Sequence, residues 1–168
     1  MIRVSVVFDG VRVEPGEPGL DAGGLERAAR AALAHAGADR FELSIAVVSD
    51  AALAELHERY LGDPSETDVM SFDLSDDLDG PAGEVVLSLD RARAVARRRG
   101  LALGREMALY AVHGTLHLVG YDDLEPAARE RMREAERQVL LALGYRAEGG
   151  THELEDGELE HDPQDGER

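Results

Sequence analysis

The sequence predicts an α/β (α+β) domain, a small mixed four-stranded sheet covered by about five helices in one unit. Three observations carry that expectation. β-rich and helical runs follow one another in the order β-α-β-α-β-β-α-α-α, with no internal repeat. A length of 168 residues suffices for one ordinary domain and is short for two. Hydrophobic residues make up 43% of the chain but aromatics only 4%, with no Trp, so Leu, Val and Ala must build a core of the kind that packs helices well.

Taken in order, Ile2 to Phe8 alternates apolar and polar residues, as a half-buried strand does, and Pro15, Gly16, Pro18 and Gly19 mark a connection after it. Leu25 to Ala36 has the Ala/Leu/Arg pattern of a helix, with Gly37 suited to its C-terminal cap. Phe41 to Val48 predicts a second strand, after which Ser49 or Asp50 can cap a helix running through Leu53, Leu56 and Tyr60. Gly62 to Glu66 reads as a polar loop, Val69 to Phe72 as a short strand, Ser75 to Ala82 as a turn or hairpin connection, and Val85 to Leu89 as another strand. Asp90 to Arg99 predicts a helix carrying Arg91, Arg93, Arg97, Arg98 and Arg99. Its simplest role is a solvated face and its alternative a phosphate-facing patch. Leu103 to Val119 is helical by period with Gly120 as its stop, and Leu124 to Leu143 forms a last helix with Pro126 in the first turn, where proline is tolerated. Beyond Gly149 apolar residues almost vanish. The expected division is therefore a folded domain, residues 1–147, and an acidic disordered tail, residues 148–168.

Composition also excludes. Without cysteine there are no disulfides, no thiolate zinc site and no cysteine nucleophile, which leaves His, Asp and Glu as the strong metal ligands. Met1 leads straight into the alternating run Ile2, Val4, Val6 without a basic and apolar leader, and no apolar stretch nears the roughly 18 residues of a membrane span. The expectation is a cytoplasmic chain with no membrane partner. A formal net charge of −17 opposes a nucleic-acid partner, because phosphate contacts usually come from a basic surface. The excess is uneven, however: from Glu148 to Arg168 the only base is Arg168, so the body is less acidic than the total. All 18 basic residues are Arg, as a GC-rich coding bias would produce, so no single Arg is read as chosen for phosphate.

The stretch that carries chemistry is His113-Gly114-Thr115-Leu116-His117-Leu118-Val119-Gly120-Tyr121-Asp122-Asp123. Positions i and i+4 share a helix face, so His113 and His117 can present both imidazoles to one ion. Gly120 lets the chain turn, after which Asp122 or Asp123 can return an oxygen as third ligand. Three protein ligands with an open fourth position describe a catalytic zinc, whose bound water is acidified towards neutrality. The residue after the first His is Gly114 rather than the Glu of the His-Glu-x-x-His metalloproteases, so a peptidase would lack its general base. Asp122 and Glu84 are the candidate bases that remain.

This stretch resembles the signature His-Gly-x-Leu-His-Leu-x-Gly-Tyr-Asp-His of the YbeY family. Tyr60 and Thr67-Asp68-Val69-Met70-Ser71-Phe72 resemble the family's Pro-Thr-Asp-Val-Leu-Ser-Phe strand region, Gly83-Glu84-Val85-Val86-Leu87-Ser88 its Gly-Asp-Ile-x-Ile-Ser strand, and Met132, Glu136 and Leu141 to Tyr145 its closing helix. The likeness runs over roughly residues 1 to 147 in the right order. It implies a metal-dependent endoribonuclease with one Zn2+ per chain, specific for single strands and acting in ribosomal RNA maturation and ribosome quality control. Ribosomal RNA would be its partner, together with ribosomal small-subunit proteins. It implies His113, His117 and Asp123 as the metal set, and Thr67, Asp68 and Ser71 as residues that line or support the pocket. A non-catalytic, metal-stabilised assembly factor that binds RNA is the alternative.

Three departures bear on this. Asp123 stands where the family has its third His; a carboxylate is an accepted zinc ligand, but it lowers the net charge of the site, leaves the bound water less acidic and favours harder metals. Leu61 stands where the family carries Arg. Arg59 is the neighbouring cation and a pocket candidate, although a two-residue offset on a helix turns a side chain by about 200°. Finally, His57 stands where the family tends to have Asn.

Overall fold

The computed structural model of the chain describes residues 1–13, 21–62, 67–76 and 79–145. The connection at Pro15 to Gly19, most of the Gly62 to Glu66 loop and the acidic tail fall outside these residues. Among the described residues nine elements follow in the expected order: β1 (Ile2–Phe8), α1 (Ala22–His35), β2 (Phe41–Val48), α2 (Asp50–Leu61), β3 (Val69–Asp73), β4 (Ala82–Ser88), α3 (Leu89–Arg99), α4 (Leu103–Leu118) and α5 (Pro126–Ala142). The sheet order is β1-β2-β4-β3, with β1, β2 and β4 parallel and β3 antiparallel to β4 at the edge. This is the mixed four-stranded sheet with five helices that the patterning predicts.

Boundaries shift where local chemistry outweighs propensity. α1 starts at Ala22, ahead of the expected Leu25, because the Asp21 side chain accepts the Gly24 N–H and caps a first turn that Gly23 and Gly24 disguise. β4 starts at Ala82, ahead of the expected Val85, because Ala82 and Gly83 pair with Glu42 and Leu43 on β2. α5 starts at Pro126 and not at Leu124, since the residue before a proline is pushed out of the helical region; Glu125 is extended at φ −99°, ψ 145°. Ser49 and Ser88 cap α2 and α3, accepting N–H groups of Ala52 and Arg91. The arginine-rich α3 buries Leu89, Ala92, Val95 and Ala96 and carries its arginines on the remaining face. Among the described residues no helix is long and apolar enough to cross a membrane.

Strand alternation divides the core in two. Leu43, Ile45, Val47, Val85 and Leu87 face α1 and α4 in the larger cluster, whereas Val48, Met70 and Val86 meet Leu53 of α2 on the opposite face. α4 is the central helix, buried along every residue from Leu103 to Leu116.

How closely α4 meets the sheet is set by glycine. A Cβ on Gly114 would lie 2.6 Å from Val85 Cγ1 and 3.1 Å from Ser71 Oγ and Val69 Cγ2. On the sheet, a Cβ on Gly83 would lie 2.6 Å from a Leu118 methyl. The Ser71 hydroxyl donates to the Gly114 carbonyl over 2.8 Å, pinning edge strand to helix. Gly114→Ala sets about 1 kcal/mol of helix propensity against about 1–3 kcal/mol of overpacking. Because Val85 is fully buried and β-branched, the overlap cannot relax cheaply and the cost prevails. A lower urea midpoint for Gly114→Ala at unchanged slope is expected; an equal or higher midpoint would show that the helix is free to lift.

Candidate metal centre and its cleft

His113 and His117 project from the C-terminal end of α4, one turn apart. The helix then stops in a Schellman motif: the Gly120 N–H bonds the His117 carbonyl (3.2 Å), the Tyr121 N–H bonds the Leu116 carbonyl (3.0 Å), and Gly120 takes φ +102°, which a side chain would strain. The reversal brings Asp123 back onto the histidines. Its carbonyl accepts from Arg129 Nε of α5 at 3.2 Å, which anchors the returning segment.

The three ligand atoms form a compact triangle. His113 Nε2 and His117 Nε2 are 3.1 Å apart, and Asp123 Oδ2 lies 3.6 Å from the first and 3.5 Å from the second. Bond lengths of about 2.0–2.2 Å to a tetrahedral zinc require ligand separations of about 3.3–3.6 Å. Both distances to Asp123 meet that spacing and the His113–His117 distance of 3.1 Å falls slightly short of it, so a small spreading of the two rings fits the donor set to such an ion. Among the described residues this is the group of His and carboxylate side chains close enough to hold a metal.

One contributor lies beyond the motif. Glu136 of α5, 2% exposed, meets His113 Nδ1 at 2.5 Å. A carboxylate there keeps the proton on Nδ1 and leaves the Nε2 lone pair directed at the triangle, the usual support of a metal-binding imidazole. The sequence signal was a charge on an apolar stripe: Met132, Ala135, Glu136, Val139 and Leu140 form the buried face of α5.

The triangle opens into a cleft of roughly 700 Å³ along the β3 edge, walled by the end of α2, by β3 and by α4. Of the pocket candidates, Thr67, Asp68 and Ser71 line it, and so do Leu61 and His57. Arg59 does not; it reaches Glu55 at 3.7 Å along the exposed side of α2. Glu84 is not brought to the cleft either, because it alternates with Val85, whose side chain meets α4, and so points to the other face of the sheet. Asp122 is exposed and its Oδ1 accepts the Leu124 N–H at 3.0 Å, outside the triangle. Sequence reasoning did not single out Phe72, Asp73 and Leu118, which also line the cleft. At its rim, the Ser75 hydroxyl and then the Ser75 N–H hold the Asp73 carboxyl below its ordinary range.

Fold and site together define a class: a small α/β domain whose central helix ends in two imidazoles and a returning carboxylate able to hold a divalent metal. The family model for endoribonuclease YbeY matches residues 22–144, and the chain belongs to that family. It is 39% identical over 126 residues to the endoribonuclease YbeY of Desulfitobacterium hafniense, an alignment spanning 69% of this chain and 80% of the relative. With the same-named protein of Alkaliphilus metalliredigens it shares 39% over 128 residues, 71% of this chain and 83% of the other. The solution structure of TM1509 from Thermotoga maritima matches the fold at a TM-score of 0.52, with 20% identity and full coverage of both chains.

Glu136→Gln keeps the size of the side chain but loses the charge that orients His113. Zinc affinity is expected to fall about 10- to 100-fold, with far-ultraviolet circular dichroism unchanged, in a competition titration against a chelating dye. An unaltered affinity would remove Glu136 from the site.

Proposed function

We propose that the chain is a zinc-dependent endoribonuclease that cuts single-stranded RNA in ribosomal RNA maturation and ribosome quality control. The proposed setting is the cytoplasm, with ribosomal RNA as substrate and ribosomal small-subunit proteins as partners. The observation that carries the reading is the triangle of His113, His117 and Asp123 at the head of a cleft large enough for a nucleotide, in a chain of this family. Bound there, a zinc ion supplies Lewis acidity towards a phosphate oxygen and lowers the pKa of a water towards neutrality.

The chain's own groups supply the rest. Glu136 holds the His113 ring, the Schellman turn and Arg129 hold Asp123, and Ser71 ties the cleft wall to the helix that bears both histidines. Asp123 adds a negative charge where the resemblance implies a neutral imidazole. That charge offsets part of a bound dication's, so the centre would polarise a phosphate oxygen or water less strongly and would admit harder ions. No carboxylate outside the triangle is assigned as general base.

A second reading, a metal-stabilised assembly factor without catalysis, draws on the lining: among the described residues no arginine faces the cleft, and Leu61 occupies the position where the resemblance implies one. His117→Ala separates the two. Loss of RNA cleavage with the fold kept favours the enzyme, and collapse of the fold on metal removal favours the structural role.

Metal content of protein purified without a His tag tests the centre directly. About one zinc per chain is expected in the unsubstituted protein, little in Asp123→Ala, and full occupancy with tighter binding in Asp123→His. Cleavage of unstructured ribosomal RNA should track occupancy across the series. Zinc-loaded protein that leaves such RNA intact would refute the nuclease reading.

A further inference from the structure

The metal triangle accounts for one end of the cleft and leaves its opposite wall unexplained. There Tyr60 and Leu61, the last two residues of α2, are 60% and 66% exposed although both are large and apolar. They line the same cleft as His113, His117 and Asp123. Tyr60 is not loose: its ring centroid lies 5.1 Å from that of Phe72 on β3, with the planes at 65°, an edge-to-face pair that fixes the ring while leaving more than half of the residue exposed.

The charge of the lining limits what such a wall can hold. Asp68, Asp73 and Asp123 face the cleft, and its described lining residues include no arginine and no lysine. A nucleic acid therefore gains little from the lining through phosphate neutralisation, which ordinarily supplies most non-specific affinity. An aromatic face offers a charge-independent alternative worth about 1–3 kcal/mol per base.

We propose that Tyr60, braced by Phe72 and flanked by Leu61, is a stacking platform for one unpaired nucleobase of the RNA whose phosphate enters the metal end of the cleft. The platform rests on the RNA reading above and deepens it, because it gives strand selectivity a physical origin. A base within a duplex is stacked on both faces and has none to offer, whereas an unpaired base can be splayed onto the ring. Since every base has a π-face, the platform selects for exposure rather than identity, with purines favoured by their larger area.

The test uses the full-length, zinc-loaded chain and two fluorescent probes followed by anisotropy: a short 2′-O-methyl oligoadenylate and an abasic oligonucleotide with the same backbone length. Tyr60→Ala is expected to weaken oligoadenylate binding about 5- to 150-fold, the equivalent of one stacked base, and to leave abasic binding within about twofold, the usual spread of surface substitutions. Tyr60→Phe keeps the ring and should retain oligoadenylate affinity, and Tyr60→Leu, which keeps apolar area without a π-face, should fall between Phe and Ala. Zinc content and circular dichroism of each variant exclude a damaged centre. Equal loss for both probes, or no loss for either, overturns the platform while leaving the RNA reading in place. Failure of the unsubstituted chain to bind either probe overturns the RNA reading and the platform with it.

Discussion

The contact on which the site depends is the close approach of α4 to the edge of the sheet, permitted by Gly114 on the helix and Gly83 on the strand. A single added carbon at either position would lie only 2.6 Å from a neighbouring side chain. With both absent, the helix sinks until it is buried from Leu103 to Leu116, and its C-terminal end meets β3 with the histidines at the mouth of the resulting cleft. Gly114 is thus explained by packing, and the same packing excludes the glutamate that a metalloprotease would carry next to its first histidine.

Two devices then convert a helix end into a ligand set. The left-handed Gly120 and its two reversed hydrogen bonds turn the chain so that Asp123 lies within 3.6 Å of both imidazoles, and α5 supplies Arg129 to hold the turn and Glu136 to orient the inner ring. Burying Glu136 would be costly for an isolated carboxylate; its contact with His113 is the compensation, and the metal fit gives that contact a purpose. The centre consequently holds two carboxylates against two imidazoles, a balance that suits a dication better than an empty cluster.

The opposite wall follows from the sheet's period of two. Along β3, Ser71 points towards α4 while Phe72 points towards α2, and because β3 is the edge strand both sides open onto one cleft. A polar end able to hold a metal and an aromatic end thus share a single groove. On the interior strand β4 the same alternation separates Val85, which packs under α4, from Glu84, which cannot reach the histidines.

Local pattern by itself determined a good deal: the nine elements in order, the mixed four-stranded sheet, and the His113/His117 pair, because helix and strand periods and i, i+4 spacing are properties of the chain's own backbone. The choice between Asp122 and Asp123, by contrast, came from resemblance alone until the turn at Gly120 separated an exposed side chain from one folded onto the histidines. Glu136, 23 residues from His113, and the Tyr60–Phe72 pair lie on different elements, so their meeting depends on how α5 packs on α4 and where β3 lies beside α2. The rejection of Arg59 and Glu84 has the same origin. Each has suitable chemistry at a nearby sequence position, but which face of a helix or strand turns inward is decided by packing, and tertiary structure turned these two away.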